Sequence, residues 1–148
     1  MRIARRVGRM MLEEMGVIST DVNDTEFVVG ELCSNVIRHA QTSDGRFVIH
    51  LEYHADKVVI TVMDRGTGFS FKDVGEVGSL RPDMDGSDRY GGFGLDLVRR
   101  LADHVEFSRT DPDGTTVRAE KVLHYKTPEA AREAEEMERE GAQMSVTG

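Results

Sequence analysis

The spacing of apolar residues over the first 40 positions predicts two amphipathic helices. The first covers residues 2 to 15 and ends near Gly16, with an apolar stripe that is expected to face the core. This stripe consists of Ile3, Val7, Met10, Met11 and Met15. The second helix runs from the Ser19-Thr20-Asp21 cap region to about Ala40. Its apolar stripe consists of Val29, Leu32, Cys33, Val36, Ile37 and Ala40.

Alternating apolar and polar positions predict two pairs of strands. Residues 46 to 54 and 57 to 64 predict an antiparallel hairpin around the short Ala55-Asp56 connection. Residues 104 to 109 and 115 to 123 predict a second pair around a turn that contains proline and glycine. A short helix is predicted directly before that pair, with Leu95, Val98, Leu101 and Ala102 on its apolar side.

Two further segments lack an alternating pattern. The stretch from Asp64 to Gly94 is rich in glycine and aspartate, and a long irregular segment inside a domain is commonly a functional lid. Residues 127 to 140 have high helix propensity but little apolar surface, which predicts a solvated helix or a partner arm. The last residues of the chain are expected to be frayed.

Charge and cysteine content narrow the classes of function. The net charge of −8 argues against a nucleic-acid partner, because binding to phosphates needs a basic surface. It is compatible with a basic protein partner. The sequence contains no apolar run of membrane-spanning length and no signal-peptide pattern, so no membrane association is expected. Cys33 is the only cysteine and cannot form an internal disulfide, and the expected location is a reducing cytoplasm.

Glu31 and Asn35 form the first candidate constellation. They lie four residues apart on the second predicted helix, so both side chains project in the same direction at the edge of the apolar stripe. A carboxylate there can act as a general base, and an amide oxygen is a suitable ligand for Mg²⁺. Taken alone, the pair is also compatible with a polar helix flank.

Two glycine motifs lie on either side of the predicted lid. Asp64, Gly66 and Gly68 follow a hydrophobic strand, where a carboxylate can accept from an adenine amino group and glycine admits a flat ligand. Gly92 and Gly94 open the next helix, whose N-terminal N–H groups favour phosphates. Each motif alone fits an ordinary turn or helix start. Their combination, in this order and followed by the Gly-Thr-Thr sequence at residues 114–116, indicates a nucleotide site.

In this order the motifs resemble those of the GHKL ATPases. Residues 31–35 (ELCSN) are similar to the N box, residues 64–68 (DRGTG) to the G1 box and residues 92–94 (GFG) to the G2 box. The resemblance spans roughly residues 3 to 122, and its details look like the anti-sigma-factor serine/threonine kinases of the RsbW and SpoIIAB type. It implies an α/β Bergerat ATP-binding fold: an α+β two-layer sandwich with a mixed, mostly antiparallel sheet, helices on one face and a long ATP lid.

The resemblance implies ATP and Mg²⁺ as cofactors and a role for each matching residue. Asn35 would ligate Mg²⁺, and Glu31 would activate the attacking hydroxyl. Asp64 would accept from the adenine amino group with Gly66 beneath it, and Gly68 would shape the pocket.

The remaining roles concern the phosphates and the far side of the adenine. Gly92 and Gly94 would donate backbone N–H groups to the phosphates, with lid residue Arg89 as a further phosphate contact. Thr115 or Thr116 would support the adenine through water.

The resemblance implies an ATP-dependent anti-sigma factor that binds a sigma factor and phosphorylates a serine or threonine of an anti-anti-sigma protein with a STAS domain. It also implies a homodimer. Residues 1–123 are expected to form the kinase domain, with a lid at about 66–91, and residues 124–148 a charged helix and a flexible tail. Arg5 matches a partner-facing position and His39 matches this branch, although solvated charge and a structural histidine explain them as simply.

The chain departs from the family pattern at its start, because the family begins with a strand before the first helix. One edge of the sheet is therefore missing, supplied by another segment, or lost to a wrong start codon.

Three other functions remain compatible with the sequence. The first is the catalytic domain of a sensor histidine kinase or a free-standing ATPase, and no phosphoacceptor helix pair precedes residue 21 to favour the sensor kinase. The second is a nucleotide-binding interaction module, which would bind ATP without forming a phosphoprotein. The third is a structural α/β protein, which would bind no adenine nucleotide.

Overall fold

The computed structural model describes residues 2–39, 47–64, 92–110, 114–140 and 144–147. Its helices are α1 (Arg2–Glu14), α2 (Ser19–His39), α3 (Gly92–Leu101) and α4 (Pro128–Arg139), and its strands are β1 (Phe47–Tyr53), β2 (Lys57–Asp64), β3 (His104–Thr110), β4 (Gly114–Val122) and β5 (Met144–Thr147). The predicted α+β fold and each predicted helix and strand are confirmed. The predicted lid, residues 66–91, lies outside the described residues.

The strands form one sheet in the order β3-β4-β2-β1-β5, and every pairing among the described strands is antiparallel. The hairpin register places Leu51 opposite Ile60, and Ile60 is in turn opposite Ala119 of β4. These three side chains are buried, because the two-residue period of each strand directs alternate residues to the same face. The predicted antiparallel hairpin around residues 55–56 is therefore confirmed.

Helices α1, α2 and α3 cover that apolar face. The centre of the core is α2, whose Val28, Val29, Leu32 and Cys33 are each 1% exposed or less. Burial raises the pKa of the Cys33 thiol, as expected for a structural cysteine within an apolar core. Among the described residues, no helix combines the length and apolarity that crossing a membrane requires.

The N-terminal end of α2 is held by buried polar contacts. The Asp21 carboxylate is 4% exposed and accepts a hydrogen bond of 2.7 Å from the backbone N–H of His124. Lys121 Nζ lies 3.8 Å from Asp21 Oδ1 and 3.3 Å from Asp24 Oδ2. The backbone N–H of Ile18 donates to the carbonyl of His124 at 2.9 Å. These contacts join α2 to the end of β4 and so hold the helix that carries Glu31 and Asn35 in register with the sheet.

Helix α1 is rotated from its predicted orientation. Ile3 and Met10, which were expected in the core, are 79% and 59% exposed. The fully buried positions are Gly8 and Leu12, while Met11 and Met15 of the predicted stripe are partly buried and pack against the core. A Cβ on Gly8 would stand 3.3 Å from Leu51 Cδ1, so the missing side chain lets α1 approach β1 along this line. Close packing at Gly8 therefore decides which side of the helix faces the sheet.

The C-terminal helix α4 packs on the domain. Thr127 caps it, since its hydroxyl oxygen accepts from the N–H of Ala130 at 3.2 Å. Ala134 is buried. Gly16 has φ of 76°, and a Cβ there would lie 2.8 Å from Ala130 Cβ, so glycine serves both the turn and the helix contact. The predicted solvated helix therefore has one narrow buried side, formed by Ala130 and Ala134, that packs against the domain.

Strand β5 supplies the outer edge of the sheet beside β1. Residues 144–147 pair antiparallel with residues 50–53, with Leu51 opposite Val146. The expectation of a frayed, flexible tail is wrong for these four residues. The open edge of β1 offers unpaired backbone groups, and pairing with β5 satisfies part of that edge. The edge that the sequence left unassigned is thus occupied from the C-terminal side.

The contact of Glu138 with the β1–β2 turn predicts a pH dependence of stability. The backbone N–H of Ala55 donates to Glu138 Oε2 at 3.0 Å and the His54 ring lies 3.0 Å from Oε1, and both contacts lower the pKa of Glu138 below its ordinary 4.5. Because the folded-state pKa is the lower one, this stabilisation is present above about pH 4.5 and is lost as the pH falls through the folded-state value.

The variant Glu138→Gln should therefore melt at a lower temperature than the wild type near neutral pH. The two melting temperatures should become equal as the pH is lowered. The difference should stay below about 1 kcal/mol, since the Glu138 side chain is 47% exposed. Thermal melts monitored by circular dichroism between about pH 3 and pH 7 test this. Glu133→Gln on the same helix is the control and should follow the wild type throughout.

Candidate nucleotide-binding site

A cleft opens where α2 and α3 meet the β3–β4 side of the sheet. The cleft is partly open to solvent. The lining side chains are Leu32, Asn35, Val36, Leu95, Phe107, Thr115 and Val117. Most of them are apolar, and two polar residues converge from opposite elements. A mostly apolar cleft with a few directed polar groups is the usual form of a small-molecule site.

Asn35 is the polar residue that α2 contributes to the cleft. It is 5% exposed, and neither its Oδ1 nor its Nδ2 has a hydrogen-bond partner within the described structure. A buried amide without partners costs about 1–3 kcal/mol, so such a group is normally retained for a ligand or ion. The position predicted as a magnesium ligand is therefore a buried polar group without a partner among the described residues.

Glu31 lies one turn before Asn35 and is half-buried. A Cβ on Gly94 would overlap Glu31 Oε2 and would stand 3.0 Å from Glu31 Cδ. The carboxylate therefore rests directly on the first turn of α3, and glycine at position 94 leaves the room that it needs. The structure brings together Glu31 of the first motif and Gly94 of the third, which are separated by about 60 residues in the chain.

The strand ends place three predicted residues beside one another. Asp64 is the last residue of β2, one position beyond Met63, and Met63 pairs with Thr116 of β4. Thr115 is 3% exposed and lines the cleft, whereas Thr116 is partly exposed. The backbone of Asp64 thus ends at the level of Thr115 and Thr116.

The remaining predicted residues are only partly described. Gly92 is the first residue of α3, as predicted. Gly66, Gly68 and Arg89 lie outside the described residues, so their assigned roles stay predictions.

Phe107 is a lining residue that the motif analysis missed. It lies on β3, and its ring also faces the Arg99 guanidinium, whose Cζ is 5.8 Å from the ring centroid. Successive residues of β3 alternate between half-buried and exposed, so strand periodicity places Phe107 on the side of the sheet that the helices cover. Only the folded sheet shows that this side ends in the cleft.

The oxygen that the protein offers in the cleft is suited to a hard cation that is bound mainly by the phosphates of a nucleotide. Magnesium prefers oxygen ligands and usually keeps phosphate oxygens and water, with one or two protein ligands. Asn35 Oδ1 is a neutral oxygen of this kind, and no residue in the described part of the chain forms a hydrogen bond with it. Among the described residues, no group of three or more His, Cys, Asp or Glu side chains could hold a metal elsewhere.

Arg5 and His39 were the two further matches to the resembled branch. The Arg5 guanidinium lies against Gly30 and forms an ion pair of 3.3 Å with Glu26 Oε1, so part of its charge is used between α1 and α2. His39 ends α2, and its side chain lies outside what the structure describes. A partner-binding role for Arg5 stays a prediction.

Comparison with known proteins identifies the family of this chain. The profile of the family described as the histidine kinase-like ATPase domain matches residues 1–121. The chain belongs to this family. The match includes α1 to α3 and strands β1 to β4 except the last residue of β4, and it ends before α4. The expected fold is thereby confirmed, and the C-terminal helix and β5 lie beyond the matched region.

Three individual proteins show which members of the family the chain is similar to. The serine-protein kinase RsbW of Bacillus pumilus is 30% identical over 74% of this chain and 70% of that protein. The serine-protein kinase RsbW of Halalkalibacterium halodurans is 30% identical over 62% of this chain, and the chain spans 58% of that relative. The sensor protein ChvG of Agrobacterium fabrum is 26% identical over 69% of this chain, but over only 17% of its own length.

Proposed function

We propose that this histidine kinase-like ATPase domain binds Mg-ATP in the cleft and transfers the γ-phosphoryl group to a serine or threonine of a partner protein. The partner is an anti-anti-sigma antagonist with a STAS domain, and the chain also binds a sigma factor. The serine-protein kinases to which it is similar support this proposal, since the alignment with the Bacillus pumilus protein covers most of both chains. Cytoplasmic location follows from the same proposal.

The observation that carries the proposal is the partnerless amide of Asn35, one helical turn from a carboxylate that rests on α3. A structural core would have replaced this amide with an apolar side chain, because an unsatisfied buried group lowers stability. A site for a cation and its phosphates gives the amide oxygen a partner. The unpaired amide lowers the stability of the nucleotide-free protein, and this loss is the consequence of keeping a ligand for the cation in the cleft.

The reaction uses the residues of the cleft for positioning. When bound, Mg-ATP supplies the phosphoryl group and neutralises the charge that spreads over its oxygens during transfer. Asn35 holds the cation through Oδ1. Glu31 accepts the proton of the attacking hydroxyl, which requires only a carboxylate within hydrogen-bond reach of that oxygen. Gly92 and Gly94 orient the phosphates through their backbone N–H groups at the start of α3.

The adenine end is held at the strand termini. The Asp64 carboxylate accepts from the adenine amino group, with Gly66 beneath the ring and Gly68 shaping the pocket. Thr115 or Thr116 supports the ring through water from β4. Leu32, Val36, Leu95, Phe107 and Val117 form the apolar wall that excludes bulk water. Arg89 adds a phosphate contact from the lid.

The test is transfer of labelled γ-phosphate from Mg-ATP to the STAS-domain proteins of the source genome. The proposal expects label on a serine or threonine of one antagonist, and co-purification of a sigma factor with the full chain. Binding of Mg-ATP without any labelled protein would instead support an interaction module, and labelling of a histidine would support the sensor histidine kinase alternative. Absence of nucleotide binding would refute the proposed site altogether.

A further inference from the structure

The first turn of α3 meets α2 through Gly94. A Cβ on Gly94 would overlap Glu31 Oε2, so this flank of α3 rests against the Glu31 carboxylate. The proposed phosphate contacts are backbone N–H groups of this turn, and such groups have fixed directions only if the helix cannot rotate about its axis. The contacts that hold α3 on its other sides therefore bear on the phosphate site.

The side of α3 that faces the core is apolar. Val98 is 0% exposed and Ala102 is 8% exposed, and both belong to the hydrophobic core. Burial of apolar surface is favourable but has no preferred direction. These two side chains therefore hold the helix on the domain, and directional contacts on the flanks are needed to fix its rotation.

The second flank of α3 lies against β3. Arg99 Cζ is 5.8 Å from the centroid of the Phe107 ring, which is within the range of a cation–π contact. Arg99 is half-buried, whereas the next residue, Arg100, is exposed. Leu95 lies one turn before Arg99 and lines the cleft together with Phe107. Phe107 thus belongs both to the wall of the cleft and to the contact that holds α3.

The two flank contacts lie on opposite sides of Val98. At about 100° per residue, Gly94 is about 40° to one side of Val98 and Arg99 about 100° to the other. Rotation of α3 towards α2 presses Gly94 against Glu31 and separates Arg99 from Phe107. Rotation the other way separates Gly94 from the carboxylate. The two contacts together therefore define a single orientation of the helix.

We propose that Arg99 is a positioning residue, whose contact with the Phe107 ring fixes the rotation of α3 and so directs the N–H of Gly94 towards the phosphates of Mg-ATP. This proposal rests on the proposed nucleotide site. Arg99 lies about 7.5 Å along the helix from Gly94 and acts through Phe107, without contacting the nucleotide. Its place in the last turn also suits a cation, because that end carries the negative end of the helix dipole.

Equilibrium binding of Mg-ATP to the full chain, measured by isothermal titration calorimetry, tests this role. Arg99→Met removes the charge and keeps an unbranched stem, and it should weaken binding by about two- to fivefold, the factor expected for an exposed cation–π contact. Arg99→Lys keeps a cation and should recover most of the affinity. Arg100→Met is the matched control, since it makes the same change of charge in the same turn and should bind as the wild type does.

A double-mutant cycle shows whether Arg99 acts through the aromatic ring. Phe107→Leu keeps an apolar wall in the cleft but removes the ring. In that background, Arg99→Met should have no further effect on binding, because the contact is already absent. An equal loss of affinity with and without the ring would overturn the proposal, as would an equal loss in Arg100→Met, which would indicate a general effect of charge.

The Gly94 amide gives a second readout that requires no nucleotide. In nitrogen-15 NMR spectra of the nucleotide-free chain, the Gly94 signal should shift in Arg99→Met and keep its position in Arg100→Met. An unchanged Gly94 signal in Arg99→Met, or wild-type affinity of that variant, would overturn the proposal. A wild type that binds no Mg-ATP would refute the proposed function, and the Gly94 signal would then still decide whether Arg99 fixes α3.

Discussion

Replacing Asn35 with leucine is expected to make the nucleotide-free protein more stable by about 1–3 kcal/mol and to abolish its binding of Mg-ATP. Both effects arise from the same atoms. The amide oxygen and nitrogen are buried and have no partners within the described ranges, so their removal eliminates a desolvation cost. The same removal deprives the cation of its proposed protein ligand.

Two measurements on Asn35→Leu are needed together. Denaturant unfolding without nucleotide should give a higher midpoint for the variant than for the wild type. Addition of Mg-ATP should raise the melting temperature of the wild type and leave that of the variant unchanged, since only a ligand that binds the native state stabilises it.

Thr25→Val is the matched control for Asn35→Leu. Thr25 also lies on α2, is 2% exposed and has a buried hydroxyl oxygen without a partner, but it does not line the cleft. This variant should gain stability and still respond to Mg-ATP. If Asn35→Leu were less stable than the wild type, or still bound Mg-ATP, Asn35 would be a structural residue.

Replacing Glu31 with glutamine is expected to lower phosphoryl transfer by about 10²- to 10⁴-fold, while the affinity for Mg-ATP changes by less than about threefold. Glutamine preserves the shape of the side chain on α3 but cannot accept a proton. The two quantities are separated by measuring transfer to the antagonist and equilibrium binding of a fluorescent ATP analogue. Retention of full transfer by Glu31→Gln would remove the proposed base.

The contact between Glu31 and Gly94 offers a companion to this variant. A methyl group on residue 94 would overlap Glu31 Oε2, so Gly94→Ala should displace the carboxylate and reduce transfer while the nucleotide still binds. Shortening the side chain in Glu31→Asp/Gly94→Ala should recover part of that loss. Gly30→Ala is the control, because its added Cβ would meet only Arg5, at 3.4 Å. No recovery in the double variant would mean that Gly94 acts on the phosphates alone.

Several features of the candidate site were predictable because they depend on local geometry. The four-residue separation of Glu31 and Asn35 sets their common direction on any helix. The ends of β2 and α3 were readable from alternation and from glycine at a helix start. Phe107 was not identified as a wall of the cleft, since its place depends on how far β3 and α3 are apart in the folded protein.

The sequence by itself determined helices α1 to α4, strands β1 to β4 and the antiparallel hairpin around residues 55–56, because these follow from residue periodicity and turn chemistry. Tertiary structure alone decided the rotation of α1, which depends on the close approach of Gly8 to Leu51. It also decided that residues 144–147 pair with β1. Both depend on contacts between segments distant in the chain. Helical period shows which residues share a side of α1, but only packing selects the side that is buried.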